Sequence, residues 1–406
     1  MYNLLSEFSP DSNCILTNYR KIRTRKTTGT WLQCKYFFWD LPNPTEGIAH
    51  GSTASDIVAQ SSGGVLRIAE SKVPYPVARM LFLNGYPILS IIKMVRAGLD
   101  IVREENIRYI LATFDGGPAF IATYIISKLT GVPYFLFTGD IYVGNSLDSP
   151  VLELLGRIFE RPLFRAASTL ILNNLAGERF YRRRYGNTIK CAILHNAVPA
   201  SVYQSKRTPY NPVEPYRIVY TGTVYWAQER SLLNLVSAID ELRDLPLQLD
   251  LYVPYADETF KRTVGGRPNI HLLPAAPQAE MPEIQCDATI LFIPLAWHSK
   301  SPYLVASVTP GKLSEYLASG RPILIHVPPY TYMAEYARRN GFALVVDEED
   351  KGKLKDGIRK LLFDLDYSRK VVENALKTFE RDHDALANAK RLIRILDSAE
   401  GPVGQS

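Results

Sequence analysis

Residues 107–139, IRYILATFDGGPAFIATYIISKLTGVPYFLFTG, hold an apolar run, a glycine turn, a longer segment with helical spacing and a second apolar run. Short apolar runs without strict alternation suit strands buried on both faces. A helix joining two of them implies a right-handed crossover and a parallel pair. Outward from this unit the alternation continues: a helix from about Val151, strand STLILNN, helix LAGERFYRRRYG and strand CAILHNA. These elements predict one α/β domain over residues 1–205. The stretch PASVYQSKRTPYNPVEP (199–215) then reads as a linker, because prolines stiffen it and no apolar periodicity survives. Alternation restarts at RIVYTG and runs to FALVV, predicting a second doubly wound, Rossmann-like domain over residues 206–385. Three helical patterns from about Lys351 to Ala399 close the chain. The last of them, within 386–406, is expected to pack back across the first domain. Two such domains are expected to face each other across a cleft at the carboxyl ends of their sheets, where open α/β sheets bind ligands.

Composition agrees with two cores. The chain has 406 residues, 46% of them hydrophobic and 22% charged, which suits a globular protein larger than one core serves. The net charge of +6 is mild and points to no nucleic-acid partner. Cys14, Cys34, Cys191 and Cys286 form no C-x-x-C pair, as expected of free thiols in a reducing cytoplasm. MYNLLSEFSPDSN lacks a basic region followed by an apolar run, and the apolar stretch 77–102 is broken by charges. A cytoplasmic enzyme is expected, with peripheral contact at the inner face of a membrane as a further expectation. Arg157, Arg161, Arg165 and Arg182–Arg184, with the apolar segment 77–92, are the candidates for that contact. The alternative is solvated helix faces and a core helix.

Familiar motifs are mostly missing. No G-x-G-x-x-G follows a strand, and TPGKL fails as a P-loop because Ala306 and Leu313 replace its glycine and its Ser/Thr. The histidines show no zinc spacing. DLD (364–366) and DHD (382–384) read as solvated charge on the C-terminal helices, so neither a metal nor an organic cofactor is expected.

The segment SVTPGKLSEYLASGRPIL (307–324) stands apart. It follows a predicted strand, turns at Pro310–Gly311 and is expected to open a helix near Lys312. A helix start exposes backbone N–H groups that suit phosphate, Gly311 allows close backbone approach, and Lys312 adds charge. Glu315, one turn on, suits two vicinal hydroxyls such as those of a ribose. The alternative is an ordinary cap at Thr309 and a dipole-compensating carboxylate at Glu315.

TPGKLSEYLASGRPIL resembles the segment that glycosyltransferase family 4 presents to a nucleotide diphosphate. AASTLILNNLAGERFYRRRYG (166–186), CAILHNAVP (191–199), RIVYTGTVYWAQERSLLNLVSAI (217–239) and HLLPAAPQAEMPEIQCDATILFIPL (271–295) are similar to further family segments, in the family's order. The resemblance covers nearly all of residues 100–345. It implies a GT-B fold and metal-independent, retaining transfer from a UDP- or GDP-sugar. The acceptor would be a glycan or lipid-linked molecule in the synthesis of cell-surface polysaccharide or glycolipid. It places Gly222 where a glycine clears space for the donor, Arg230 where a lysine contacts the diphosphate, and Glu315 on the ribose. FTGD resembles a strand end that carries a catalytic-site aspartate, which makes Asp140 a candidate for contact with sugar or acceptor, against the alternative of a turn cap. Asp115 reads as a turn residue.

The chain departs from the family at three places. Ser307 stands where the first glutamate of a pair is usual, and Thr223 where an arginine often follows the strand glycine. MYNLLSEF resembles a helix that a strand and glycine-rich loop normally precede, so functional sequence upstream of Met1 is expected. Tyr225–Trp226–Ala227–Gln228 reads either as a loop over the donor or as a surface aromatic pair packed on the neighbouring helix. A nucleotide-sugar epimerase and a non-catalytic GT-B subunit supporting a partner transferase are the competing functions. The first lacks a paired acid and base, and the second is favoured by Ser307.

Overall fold

The computed structural model describes residues 2–5, 8, 14–17, 35–38, 87–114, 117–144, 150–299 and 301–398. The chain forms two compact units, Met1–Leu194 with Ala389–Ser406, and His195–Asn388.

The first unit begins with α1 (Tyr2–Leu5) and the parallel pair β1 (Cys14–Thr17) and β2 (Lys35–Phe38). It continues through α2 (Pro87–Glu104), β3 (Ile110–Thr113), α3 (Pro118–Thr130), β4 (Tyr134–Thr138), α4 (Pro150–Ala166), β5 (Thr169–Leu172), α5 (Leu175–Tyr185) and β6 (Cys191–Ile193). The order β3-β4-β5-β6, parallel throughout, advances one way, so right-handed crossovers put α3, α4 and α5 on one face. Every residue of β4 and β5 is buried, as expected of strands covered on both sides. Local signals set the helix ends. Pro118 opens α3 and Gly131, at φ +77°, closes it, while the Asn174 side chain accepts from Gly177 N to cap α5.

The second unit runs α6 (Ala200–Gln204), β7 (Tyr216–Thr221), α7 (Glu229–Glu241), β8 (Leu247–Tyr252), α8 (Glu258–Val264), β9 (Ile270–Leu273), α9 (Met281–Cys286) and β10 (Ile290–Pro294). It goes on through α10 (Pro302–Ser307), α11 (Leu313–Ala318), β11 (Ile323–His326), α12 (Tyr332–Asn340), β12 (Leu344–Val346), α13 (Lys351–Phe363), α14 (Leu365–Thr378) and α15 (Ala385–Asp397). Its six-stranded parallel sheet has the order β12-β11-β10-β7-β8-β9. The chain lays β8 and β9 on one side of β7, then returns to put β10, β11 and β12 on the other. Strand order therefore reverses between β7 and β10, and connections leaving those two strands part in opposite directions. Such a switch point opens a crevice at the carboxyl ends of the strands.

The strand and helix alternation matches the sequence reading closely, and the last helix does return: α15 passes from the second unit into the first, where Tyr109 Oη lies 3.4 Å from Asp397 Oδ1. Three expectations fail. The stretch taken as a linker contains α6, and its Tyr203 and Tyr210 are buried in the second unit. Tyr203 Oη donates to Gln285 Oε1 (2.8 Å), Tyr210 Oη to Leu361 O (3.1 Å), and Arg321 to Thr208 O (2.8 Å). A proline-rich stretch without helical period thus docks through isolated aromatic anchors. The DHD triplet is not a solvated face: residues Phe379–His383 form a π-helical turn, His383 is fully buried, and burial pulls its pKa down to about 3. Asp382 accepts from Tyr336 Oη, and His383 Nδ1 meets Asn196 O at 2.7 Å. The DLD triplet is as expected, with Asp364 capping α14 through Tyr367 N. Finally, α10 intervenes between β10 and the turn at Pro310–Gly311, where a direct strand-to-turn passage was expected.

Where the chain enters and leaves the second unit, Val198 pairs with Asp384 and the buried Asn388 amide donates to His195 O (3.1 Å) and Asp382 O (2.8 Å). Asn388→Ala removes both bonds from a fully buried place. Stability is expected to fall by about 1–3 kcal/mol for each carbonyl left without its donor. The measurement is the urea midpoint, which should drop at unchanged slope.

Candidate functional site

The switch point between β7 and β10 gathers most of the predicted residues of the second unit. Gly222 follows the last residue of β7 with φ +131°, a conformation open to glycine and strained for other residues. Its backbone N–H donates to Tyr252 O at 2.9 Å. A Cβ placed there would lie 2.8 Å from Lys312 Nζ, so glycine is what lets the ammonium approach the strand end. That ammonium sits 3.8 Å from the centre of the Tyr220 ring, a cation–π contact. Among the described residues Lys312 has no ion-pair partner within 4 Å. Burial lowers its pKa from 10.5 to about 7, with Glu315 partly opposing the shift. Lys312 is half-buried as a whole, and its ammonium end packs against Tyr220 and Gly222.

Glu315 stands in the first turn of α11. Gln285 Nε2 donates to its Oε2 at 2.8 Å, and Gln285 Oε1 in turn accepts from Tyr203 Oη. Burial raises the pKa of Glu315, while the Gln285 bond and Lys312 act the other way. Burial thus disfavours the charged form of both members of the Lys312–Glu315 pair. A second tether comes from Tyr316, whose buried hydroxyl accepts from Thr221 N at 2.9 Å and fixes α11 to the end of β7.

The turn from Thr309 to Lys312 differs from a helix start of ordinary length. α11 has six residues, and Leu313 N already donates to Pro310 O at 3.0 Å, so little macrodipole is available. Thr309 is buried and Gly311 exposed. The amides of Gly311 and Lys312 make no hydrogen bond among the described residues.

Other predicted residues make different contacts. Arg230 is exposed, and its Nε donates to Glu349 Oε1 at 2.6 Å, with His298 Nε2 2.9 Å from the other oxygen. Thr223 is exposed, and its carbonyl accepts from Tyr220 Oη. Ser307 closes α10 with its hydroxyl turned back to Tyr303 O at 3.0 Å. Asp140 lies exposed after β4, in the first unit. Asp115 lies outside the described residues. A cavity of about 600 Å³ in the second unit opens elsewhere, along β12, lined by Arg338, Asp347, Lys353, Lys360 and Tyr367, and includes none of these residues.

Sequence reasoning missed Tyr203, Tyr220, Gln285 and Tyr316. No sequence signal marked them: α9 carries Glu283 beside Gln285, and the full burial of Gln285, which demands partners, appears only in the fold.

No protein-family model matches the chain, and no curated protein matches it by sequence. Solved structures do. A glycosyltransferase from Rickettsia africae shares 12% identity over 87% of this chain and 89% of its own, with a TM-score of 0.60. Anabaena HepE, in complex with UDP-glucose, shares 14% identity over 76% of this chain and 82% of its own, at 0.58. A UDP-N-acetylglucosamine 2-epimerase shares 12% over 78% and 79%, at 0.52. These likenesses establish the fold, two Rossmann-like parallel-sheet units of the GT-B type, and at such identities leave the chemistry to the site.

The depressed pKa of Lys312 has a sign that can be tested. Between about 7 and 10.5 the unfolded chain holds a proton on this lysine that the folded protein has shed, so stability rises with pH in that window. Below about 7 the folded protein bears the full cost of the desolvated charge. Lys312→Met should therefore raise the thermal midpoint, most at pH 6 and least near pH 10. A variant less stable than the parent at pH 6 would contradict a desolvated ammonium.

Proposed function

We propose that this chain is a glycosyltransferase of family 4. In this reading it moves a sugar from a UDP- or GDP-sugar to a glycan or lipid-linked acceptor, with retention of configuration and without a metal. The observation that carries the reading is the desolvated Lys312 ammonium beside Gly222 at the strand-order switch, without an ion-pair partner among the described residues. A diphosphate seated there supplies a paired counter-charge that none of the described residues does, and the amides of Gly311 and Lys312, without hydrogen bonds among those residues, serve as donors for its oxygens. Such a ligand draws Lys312 back to its charged form as it binds. Glu315, held by Gln285, takes the ribose hydroxyls. In the transfer step the sugar–phosphate bond breaks and negative charge grows on the leaving diphosphate. Lys312 stabilises it where a metal otherwise would. Neighbouring folds that bind UDP-glucose and the order of family-like segments support the same reading.

Calorimetry with UDP and GDP tests the site. Lys312→Ala and Glu315→Ala should each weaken binding by about 1.5–3 kcal/mol, the range for a charged hydrogen bond. Unchanged affinity in both variants would sink it. Transfer from UDP-glucose should persist in EDTA and give a product of unchanged anomeric configuration by NMR. Full loss of turnover, restored by Mn²⁺, would refute the metal-independent mechanism.

A second reading has its own observation. Ser307 offers no carboxylate, and its hydroxyl is spent on its own helix, which favours a non-catalytic subunit that binds nucleotide without turning it over. UDP binding without transfer or hydrolysis, alone or with any acceptor, would select it.

Membrane contact belongs to the same proposal. Among the described residues no helix is long and apolar enough to cross a bilayer. On α2, however, Ile88, Leu89 and Ile92 are exposed beside Lys93 and Arg96, and α4 exposes Leu154 and Ile158 among Arg157, Arg161 and Arg165. Cations interleaved with apolar side chains suit an anionic lipid surface at the cytoplasmic face. Co-sedimentation with phosphatidylglycerol vesicles, lost in Arg161→Glu/Arg165→Glu, is the expected result. Equal sedimentation of parent and variant would remove the assignment.

A further inference from the structure

Six aromatic side chains are exposed among the described residues, and five of them belong to segments that follow neighbouring strands of one sheet. Tyr225 (47% exposed) and Trp226 (52%) follow β7, Tyr255 (64%) follows β8, Tyr303 (41%) follows β10, and Tyr330 (51%) follows β11. The sixth, Phe363, ends α13. In the sheet these four strands are consecutive, β11-β10-β7-β8, so the segments that carry the five rings leave neighbouring carboxyl ends that span about 14 Å at ordinary strand spacing, Tyr303 by way of α10. Gly222, where the donor is proposed to sit, follows β7 on the same edge of the sheet.

Backbone bonds hold part of this row in place. Val224 N donates to Tyr255 O (3.1 Å), tying the loop after β7 to the loop after β8. Gln228 N and Glu229 N both donate to Tyr225 O, closing a turn at the head of α7. The Tyr225 and Trp226 rings meet edge to face, 5.9 Å apart at 79°. Loops held by such bonds lose little backbone freedom when a ligand lands on the rings they carry.

The chemistry of the row selects its occupant. Large exposed apolar groups gathered in one place mark binding surfaces. Those on this edge are aromatic without exception: the exposed aliphatic residues of the unit, Val202, Val213 and Leu386, lie in α6, in the stretch before β7 and in α15. A lipid or an apolar peptide is met as readily by leucine as by tyrosine. Flat rings, four of five bearing a phenol hydroxyl, suit a partner with an apolar C–H face and a polar rim, which is the form of a pyranose. We propose that this edge is a carbohydrate-stacking platform that takes a chain of sugars longer than one ring. Resting on the donor reading above, this narrows the acceptor to an oligosaccharide.

Intrinsic fluorescence and calorimetry of the full chain test the platform, with cellohexaose, maltohexaose and chitohexaose as probes and glucose as the single-ring control. At least one hexasaccharide should bind saturably and at least about tenfold more tightly than glucose. Trp226→Ala and Tyr255→Ala should each weaken that binding by about fivefold or more while leaving UDP affinity and thermal midpoint unchanged. The proposal is overturned if no hexasaccharide saturates, or if both variants bind as the parent does. It is also overturned if Trp226→Ala weakens UDP as much as saccharide, which would make the ring a nucleobase partner. Failure of the donor reading has a different signature: UDP does not bind the parent, while the hexasaccharide still binds and still depends on Trp226.

Discussion

Strands β7 and β10 lie side by side although β8 and β9 separate them in the chain, and the segments leaving their carboxyl ends are carried to opposite sides. Everything proposed for the second unit depends on that divergence. At that divergence Gly222, from the end of one strand, meets Lys312, from the segment after the other. A glycine with φ +131° and a tyrosine ring then become the immediate surroundings of a lysine ammonium. The Tyr316 hydroxyl, bonded to the Thr221 amide, keeps the two sides in register.

This arrangement works against the stability of the empty protein. A charged amine is withdrawn from water with no opposing carboxylate within 4 Å among the described residues, and Glu315, the acid that acts on it, is itself pushed toward its neutral form and bonded to an amide. Cores formed only for stability place apolar side chains at such positions. The pattern resembles the perturbed, partly desolvated groups that gather at functional sites. It also explains the packing of the stretch before β7. Tyr203 is bound to Gln285, and Gln285 to Glu315, so residues far from the turn in sequence set the direction of its carboxylate.

Much of this was legible in the sequence, because burial on both faces produces continuous apolar runs, and crossover helices produce their own period. The residues of the turn were legible too, since few segments combine Pro-Gly, Lys and Glu after a buried strand. What escaped notice had no periodic signature. Tyr203 and Tyr210 dock singly from a polar stretch, so their burial is a tertiary fact that local pattern does not encode. His383 lies between two aspartates and looks solvated by composition, yet a π-turn rotates it inward against Tyr336 and Asn196. The helix α10 is six residues long, too short for periodicity to announce it, and it moves Ser307 from a strand exit to a helix end.

The path of α15 has a consequence for how the molecule is made. Residues 195–388 form one unit from an unbroken stretch of chain, whereas the other unit draws on residues from both sides of it. A ribosome releases the whole of the unbroken unit before it releases Ala389–Asp397. That unit has every residue it needs while translation is still under way. The unit whose strands emerge earlier waits, with the place for its last helix uncovered, until Ala389–Asp397 have followed the whole of the other. Order of synthesis and order of completion are therefore reversed. The interval between them is when the earlier-made half exposes apolar surface and most needs the protection that nascent chains receive.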